Sequence, residues 1–260
     1  MSAPRSTGTL AIASLGGGVL SLTRGLGSLA LLLGRLTRAA PRMAPREFLR
    51  ALVLSGVNVL PLCLLTAALT GALVVIQTGF YVKSLGVSSL LGWGAGYSLF
   101  RELGPLLAVL VLSGRVGAGL ASDVAGLRAG EQLPALQALG VDVDREILAP
   151  RLWAIVVSLL ALVLISDIVG LAAAALAGVL LLGVPPGAFL SSMVGALHLQ
   201  DVSVGLIKGV AFGFALGACS LLAGLSVPAE ARGIGAAARR SVVWTLISVL
   251  ALDVLLTGIL

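Results

Sequence analysis

Charge is what this sequence has least of. Only 11% of its 260 residues are Asp, Glu, Lys or Arg, against about a quarter in an ordinary soluble domain. With 58% hydrophobic residues and a mean hydropathy of +1.12, the composition is that of an integral membrane protein. Histidine occurs once, at His198, and aromatic residues make up 4% of the chain. A lone histidine leaves no partner for a metal site. Cys63 and Cys219 each sit in an apolar run, which suits buried thiols rather than a disulfide or metal pair. Enzyme motifs are missing too. There is no G-x-x-x-x-G-K-[ST], so ATP hydrolysis by that route is excluded, and there is no G-x-S-x-G or H-E-x-x-H. His198 and Asp201 stand three apart and read as an interfacial hydrogen bond rather than an active site. Arg24 interrupts the first apolar stretch, so a cleavable signal peptide is not expected.

What is present is glycine, 34 residues of it, and a net charge of +6. Glycine in oily segments lets helices pack closely. The basic residues cluster at the ends of those segments, which speaks for topology and anionic headgroups and against nucleic acid. Residues 9–38 place Leu22, Leu26, Leu29, Leu33 and Leu36 on one helix face and Ser21, Arg24, Ser28, Arg35 and Arg38 on the other. That pattern predicts an amphipathic interfacial helix, so residues 1–50 form an N-terminal element and 51–260 the transmembrane domain. Five spans follow, over about 51–82, 90–127, 152–182, 202–227 and 241–260, with loops between them that include 228–240. The fold class is therefore all-α. Gly205, Gly209, Gly213 and Gly217 recur every fourth residue and predict a close-packing strip on the fourth span. Seven arginines precede residue 51, three lie in 128–151 and three in 228–240. The positive-inside rule puts the N-terminus in the cytoplasm and, with five spans, the C-terminus outside it.

The stretch from Leu99 to Pro150 organises the rest. Arg101 and Glu102 lie inside the second span, where charge is costly. Neighbours on a helix point about 100° apart, so at least one must look outward for a partner. Two readings stand side by side: an ion-pair lock, with Lys208 or Asp253 as partners, or the polar lining of a cavity. Asp167 and Asp253 lean towards the structural role. Beyond the span, Glu131 to Asp142 reads as a short helix outside the membrane. Pro134 fits its first turn, Leu133, Ala135, Leu136 and Leu139 supply an apolar face, and Gly140 is placed to end it. Such a helix is a docking element for a soluble partner, or a plain connector.

Arg-Glu-Leu-Gly-Pro at 101–105, Gly-Arg-Val-Gly-Ala at 114–118, Glu131-Gln132 leading to Ala138-Leu139-Gly140-Val141-Asp142, and Ala149-Pro150-Arg151 resemble the MlaE/YrbE-type permeases. The Asp167 region, Gly205-Leu206-Ile207-Lys208 and the ending from Arg239 to Thr257 match as well. Asp142-Val143 departs from the family's Asp-Pro, and Asp123 and Leu127 stand where it has Glu and Met. The resemblance implies the permease of an ABC transporter that moves phospholipid between inner and outer membrane. It implies a homodimer seated on cytoplasmic ATPase subunits, which carry the ATP and Mg, so that this chain is not itself an enzyme and holds no cofactor. A periplasmic MCE-domain protein is implied as partner, and in some systems a STAS-domain subunit. By position, Val74, Tyr81, Val82 and Leu85 would line the acyl-chain region, with Arg101, Glu102 and Lys208 as polar cavity residues. Glu131, Gln132, Leu133, Leu136, Leu139 and Gly140 would couple to the ATPase. A passive scramblase or a membrane scaffold is the alternative.

Overall fold

The computed structural model describes residues 23–25, 27–84, 91–196, 198–227 and 231–260. Among these there is no strand, and five helices are long and apolar enough to cross a membrane. The protein is an all-α, multi-pass membrane protein. We number its helices α1 (27–39), α2 (Pro45–Val82), α3 (Leu91–Ala129), α4 (Gln132–Ala138), α5 (Asp144–Leu182), α6 (Pro186–Ala196), α7 (Leu199–Ser226) and α8 (Ala231–Ile259).

Three spans are longer than their oily cores. α2 begins at Pro45, α5 at Asp144 and α8 at Ala231, so most of the expected 228–240 loop is helix. Hydropathy marks where the apolar stretch starts, whereas a helix continues until its backbone bonds run out. The N-terminal helix is also more than an interfacial float. Leu32, Leu36 and Ala39 are buried in the same cluster as Val109, Leu152 and Phe212 of the spans. Arg35 pairs with Asp144 at 2.5 Å, while Arg24, Ser28 and Arg38 face outward. Ser21, Leu22 and Leu26 lie outside the described residues.

Prolines shape α2, α3 and α5. Each proline removes one N–H, leaving the carbonyl four residues earlier without its usual donor. Pro61, Pro105 and Pro150 follow single π turns at Val53–Val57, Leu99–Leu103 and Asp144–Leu148. In the second of these, the Gly104 N–H reaches back to the Leu99 carbonyl. A fourth π turn, Ser113–Gly117, has no proline following it within the helix. Such turns recur at functional positions in helices. Here they carry Arg101, Glu102 and Arg115.

Glycines set the closest helix crossings. In α7, Gly205 abuts the Phe100 carbonyl, Gly209 faces Val163 and Leu160, Gly213 meets Val156 and Gly217 meets Leu152. Thus three of the four glycines of the strip seat α7 on α5. Where α2 crosses α5, a side chain on Gly71 would land on the backbone carbonyl of Gly170. Overpacking a tight site costs about 1–3 kcal/mol, and backbone yields less readily than a side chain. Gly71→Val should therefore lower the thermal unfolding midpoint in detergent, while Gly258→Val, with open space around it, should leave it unchanged. Equal midpoints for the two variants would contradict this crossing.

Candidate functional site

The intramembrane charges of α3, α7 and α8 form one network. Lys208 of α7 is fully buried, and its ammonium donates to Glu102 Oε2 at 2.5 Å, Asp253 Oδ1 at 2.9 Å and Thr257 Oγ1 at 2.9 Å. An ammonium has three donors, so Lys208 is saturated. The Thr257 hydroxyl in turn donates to Glu102, 3.2 Å from Oε1. Burying one cation against two carboxylates is tolerable only with this complete set of bonds. Of its three charged members, Glu102 keeps the most exposure, 31% of its side chain.

Arg101 turns a different way, as adjacent helical residues must. It faces Asp201 at 3.5 Å and lies over the Tyr97 ring, 5.4 Å from its centroid. Tyr97 stacks on Trp93 with centroids 5.8 Å apart. Trp93, Tyr97 and Arg101 thus form a ladder at i, i+4, i+8 along α3. Asp201 holds the start of α7 as well, because its Oδ2 accepts the His198 N–H at 3.1 Å. A carboxylate at this position compensates the helix dipole. The His198–Asp201 pair is therefore a helix start. Asp167 stays apart from the network, buried against Gly104 of α3.

The C-terminal end of α2 exposes Tyr81, with Val74 and Val82 half-buried and Val82 packed beside Val75 and Leu91. Leu85 lies outside the described residues.

At the opposite end, α4 is shorter than the expected 131–142. Glu131 precedes it in the left-handed region at φ 54°, and Gly140 leaves it at φ 79°. The Val141 N–H bonds to the Leu136 carbonyl and the Gly140 N–H to that of Gln137, the paired bonds of a glycine-terminated helix. Its apolar face is also not free. Leu133 is buried, and Leu136 packs on the same cluster as the spans. Leu139 is 79% exposed, and Gln132, Ala135 and Gln137 face outward with it. Leu133 belongs to the protein's own core, while Leu136 is half-buried and keeps part of its side chain at the surface.

Residues 48–259 match the family described as Permease MlaE. This chain belongs to the MlaE permease family. It is 31% identical over 252 residues to the intermembrane phospholipid transport system permease protein MlaE of Haemophilus influenzae, covering 96% of this chain and 97% of that protein. It is 33% identical to a probable ABC transporter permease protein of Rickettsia typhi, over 82% of each chain. A chloroplast protein of Arabidopsis thaliana, trigalactosyldiacylglycerol 1, is 28% identical over 82% of this chain and 61% of its own.

Within this MlaE-family permease, one helix joins the two features of interest. α3 carries Arg101 and Glu102 in its first half and leads directly into α4. Sequence reasoning did not find Thr257 or Asp201 as partners of the charged residues, since both contacts join distant parts of the chain. The Trp93–Tyr97–Arg101 ladder could have been read from its four-residue spacing.

Proposed function

We propose that this permease is the transmembrane subunit of an ATP-driven phospholipid transporter working between the inner and outer membranes. The observation that carries the reading is the near end-to-end similarity to the Haemophilus intermembrane phospholipid permease. The arginine-rich end, with the N-terminus and α4, lies in the cytoplasm, and the C-terminus lies in the periplasm. ATP and Mg bind a separate ABC subunit that grips α4 through Leu139 and its outward polar neighbours. Two copies of the chain form the working unit. Val74, Tyr81, Val82 and Leu85 take acyl chains, and Glu102 and Arg101 border the polar part of the cavity. Lys208 acts as a positioning residue, because its three donors are already used. An MCE-domain protein exchanges lipid on the periplasmic side, and a STAS-domain subunit joins the cytoplasmic assembly.

Reconstitution with and without the ATPase subunit tests the reading. Transfer of labelled phospholipid should require both the ATPase and hydrolysable ATP. Equal transfer from the permease alone would make it a passive scramblase.

A further inference from the structure

A second charged region lies away from the Lys208 network. At the arginine-rich end, α2, α3 and α5 line an open cavity of about 360 Å³. Its wall carries Arg50, Arg115 and Arg151 against Glu47 and Asp123, an excess of one positive charge. Arg151 is paired with Glu47 at 3.2 Å, yet its Nη1 is buried without a partner. The side chains of Arg50, Arg115 and Asp123 make no hydrogen bond or ion pair with any other described residue.

The charges are spread in depth. Arg115 lies eight residues farther into the span than Asp123, about 12 Å along a helix rising ~1.5 Å per residue. The outer rim, with Glu47, Arg50, Asp123 and Arg151, balances. The deeper Arg115 does not. Its guanidinium shares the cavity with the amide of Asn58 and the apolar side chains of Leu54, Val116 and Ile155. Arg115 is exposed towards this opening and unpaired, so an anion can reach it and would supply the partner it lacks. Guanidinium and amide donors together suit phosphate oxygens. Beside the cavity, Val53, Leu54 and Val57 of α2 are exposed apolar side chains. That rim favours an anion with hydrocarbon attached over a free one.

We propose that this cavity binds the phosphodiester group of a membrane lipid from the leaflet at the arginine-rich end, with phosphate on Arg115 and Asn58 and acyl chains along Val53 and Val57. The site is separate from the Glu102 region and does not depend on coupling to an ATPase.

Native mass spectrometry of the full-length purified chain, titrated with dioleoylphosphatidylglycerol, tests it. Arg115→Gln should lose one bound lipid per chain, or bind it about tenfold more weakly, as expected for a charge-assisted bond. Arg115→Lys should retain most of the binding. Asp123→Asn should bind about threefold more tightly, since a nearby negative charge is gone. That gain keeps the test decisive even if Arg115→Gln folds poorly. Dioleoylglycerol, which lacks phosphate, should not occupy the site. Unchanged binding by Arg115→Gln, or weakened binding by Asp123→Asn, overturns the proposal. Displacement of the lipid by equimolar glycerol 3-phosphate would assign the site to free phosphate esters instead. A Gly119→Cys disulfide between copies that forms equally with and without lipid would mean that a second chain fills the cavity, and this too overturns it.

Discussion

Replacing Lys208 with methionine will destabilise this permease by about 3–5 kcal/mol, the usual result of removing one partner from a buried ion pair. The loss is large because the ammonium joins three helices at once. Without it, Glu102 on α3 and Asp253 on α8 are left facing each other with no cation between them. Adding Glu102→Gln and Asp253→Asn to the lysine variant should therefore recover much of the stability, because the stranded charges are then removed. Chemical unfolding in detergent measures both effects, and lipid transfer measured beside it separates folding from function. The restored triple variant should fold but transfer poorly, since Glu102 is also a cavity residue in our reading. If Lys208→Met unfolds like the wild type and loses only transfer, the network is no structural lock.

The second large effect lies at the other end of α3. Leu139→Asp should abolish co-purification of the ATPase subunit while leaving the unfolding of the permease unchanged. An exposed leucine at the centre of a contact contributes about 2 kcal/mol when it is a hot spot, or about a thirtyfold change in affinity. Leu133→Asp is the informative contrast. That side chain is 7% exposed and belongs to the core, so a carboxylate there should unfold the permease first. An ATPase that still binds Leu139→Asp would place the grip elsewhere.

Much of this molecule was legible before any coordinates. Five spans followed from long apolar runs, and the glycine strip followed from a four-residue period that only a helix turns into a face. Lys208, the cation that pairs with Glu102, was among the candidates, because few intramembrane charges exist to be paired. The rest required tertiary information. Nothing local in the sequence tells that Leu133 turns inward while Leu139 turns out, since both fit one amphipathic pattern. Gly71 looks like any other glycine until Gly170 arrives from a segment nearly a hundred residues away. α2, α5 and α8 begin ahead of their apolar spans, which the sequence does not show because arginines at a membrane surface look the same in a loop and in a helical first turn. Arg115 stood in plain view within a small-residue run, but its lack of a partner is a property of the whole bundle.

The π turns have a consequence for how α3 transmits force. Each holds one residue more than an α-helical turn of the same length, and each extra residue rotates everything beyond it by about 100°. α3 contains two of them, at Leu99–Leu103 and Ser113–Gly117. The segment between them, Gly104–Leu112, is thus a shaft with an adjustable joint at either end. Glu102 sits in the upper joint and Arg115 in the lower one. Rewinding the joint at Ser113–Gly117 to α geometry would rotate the cytoplasm-proximal half of α3 against the half that carries Glu102. α3 is therefore geared as well as rigid, with the aim of one charged site set relative to the other by the joints between them.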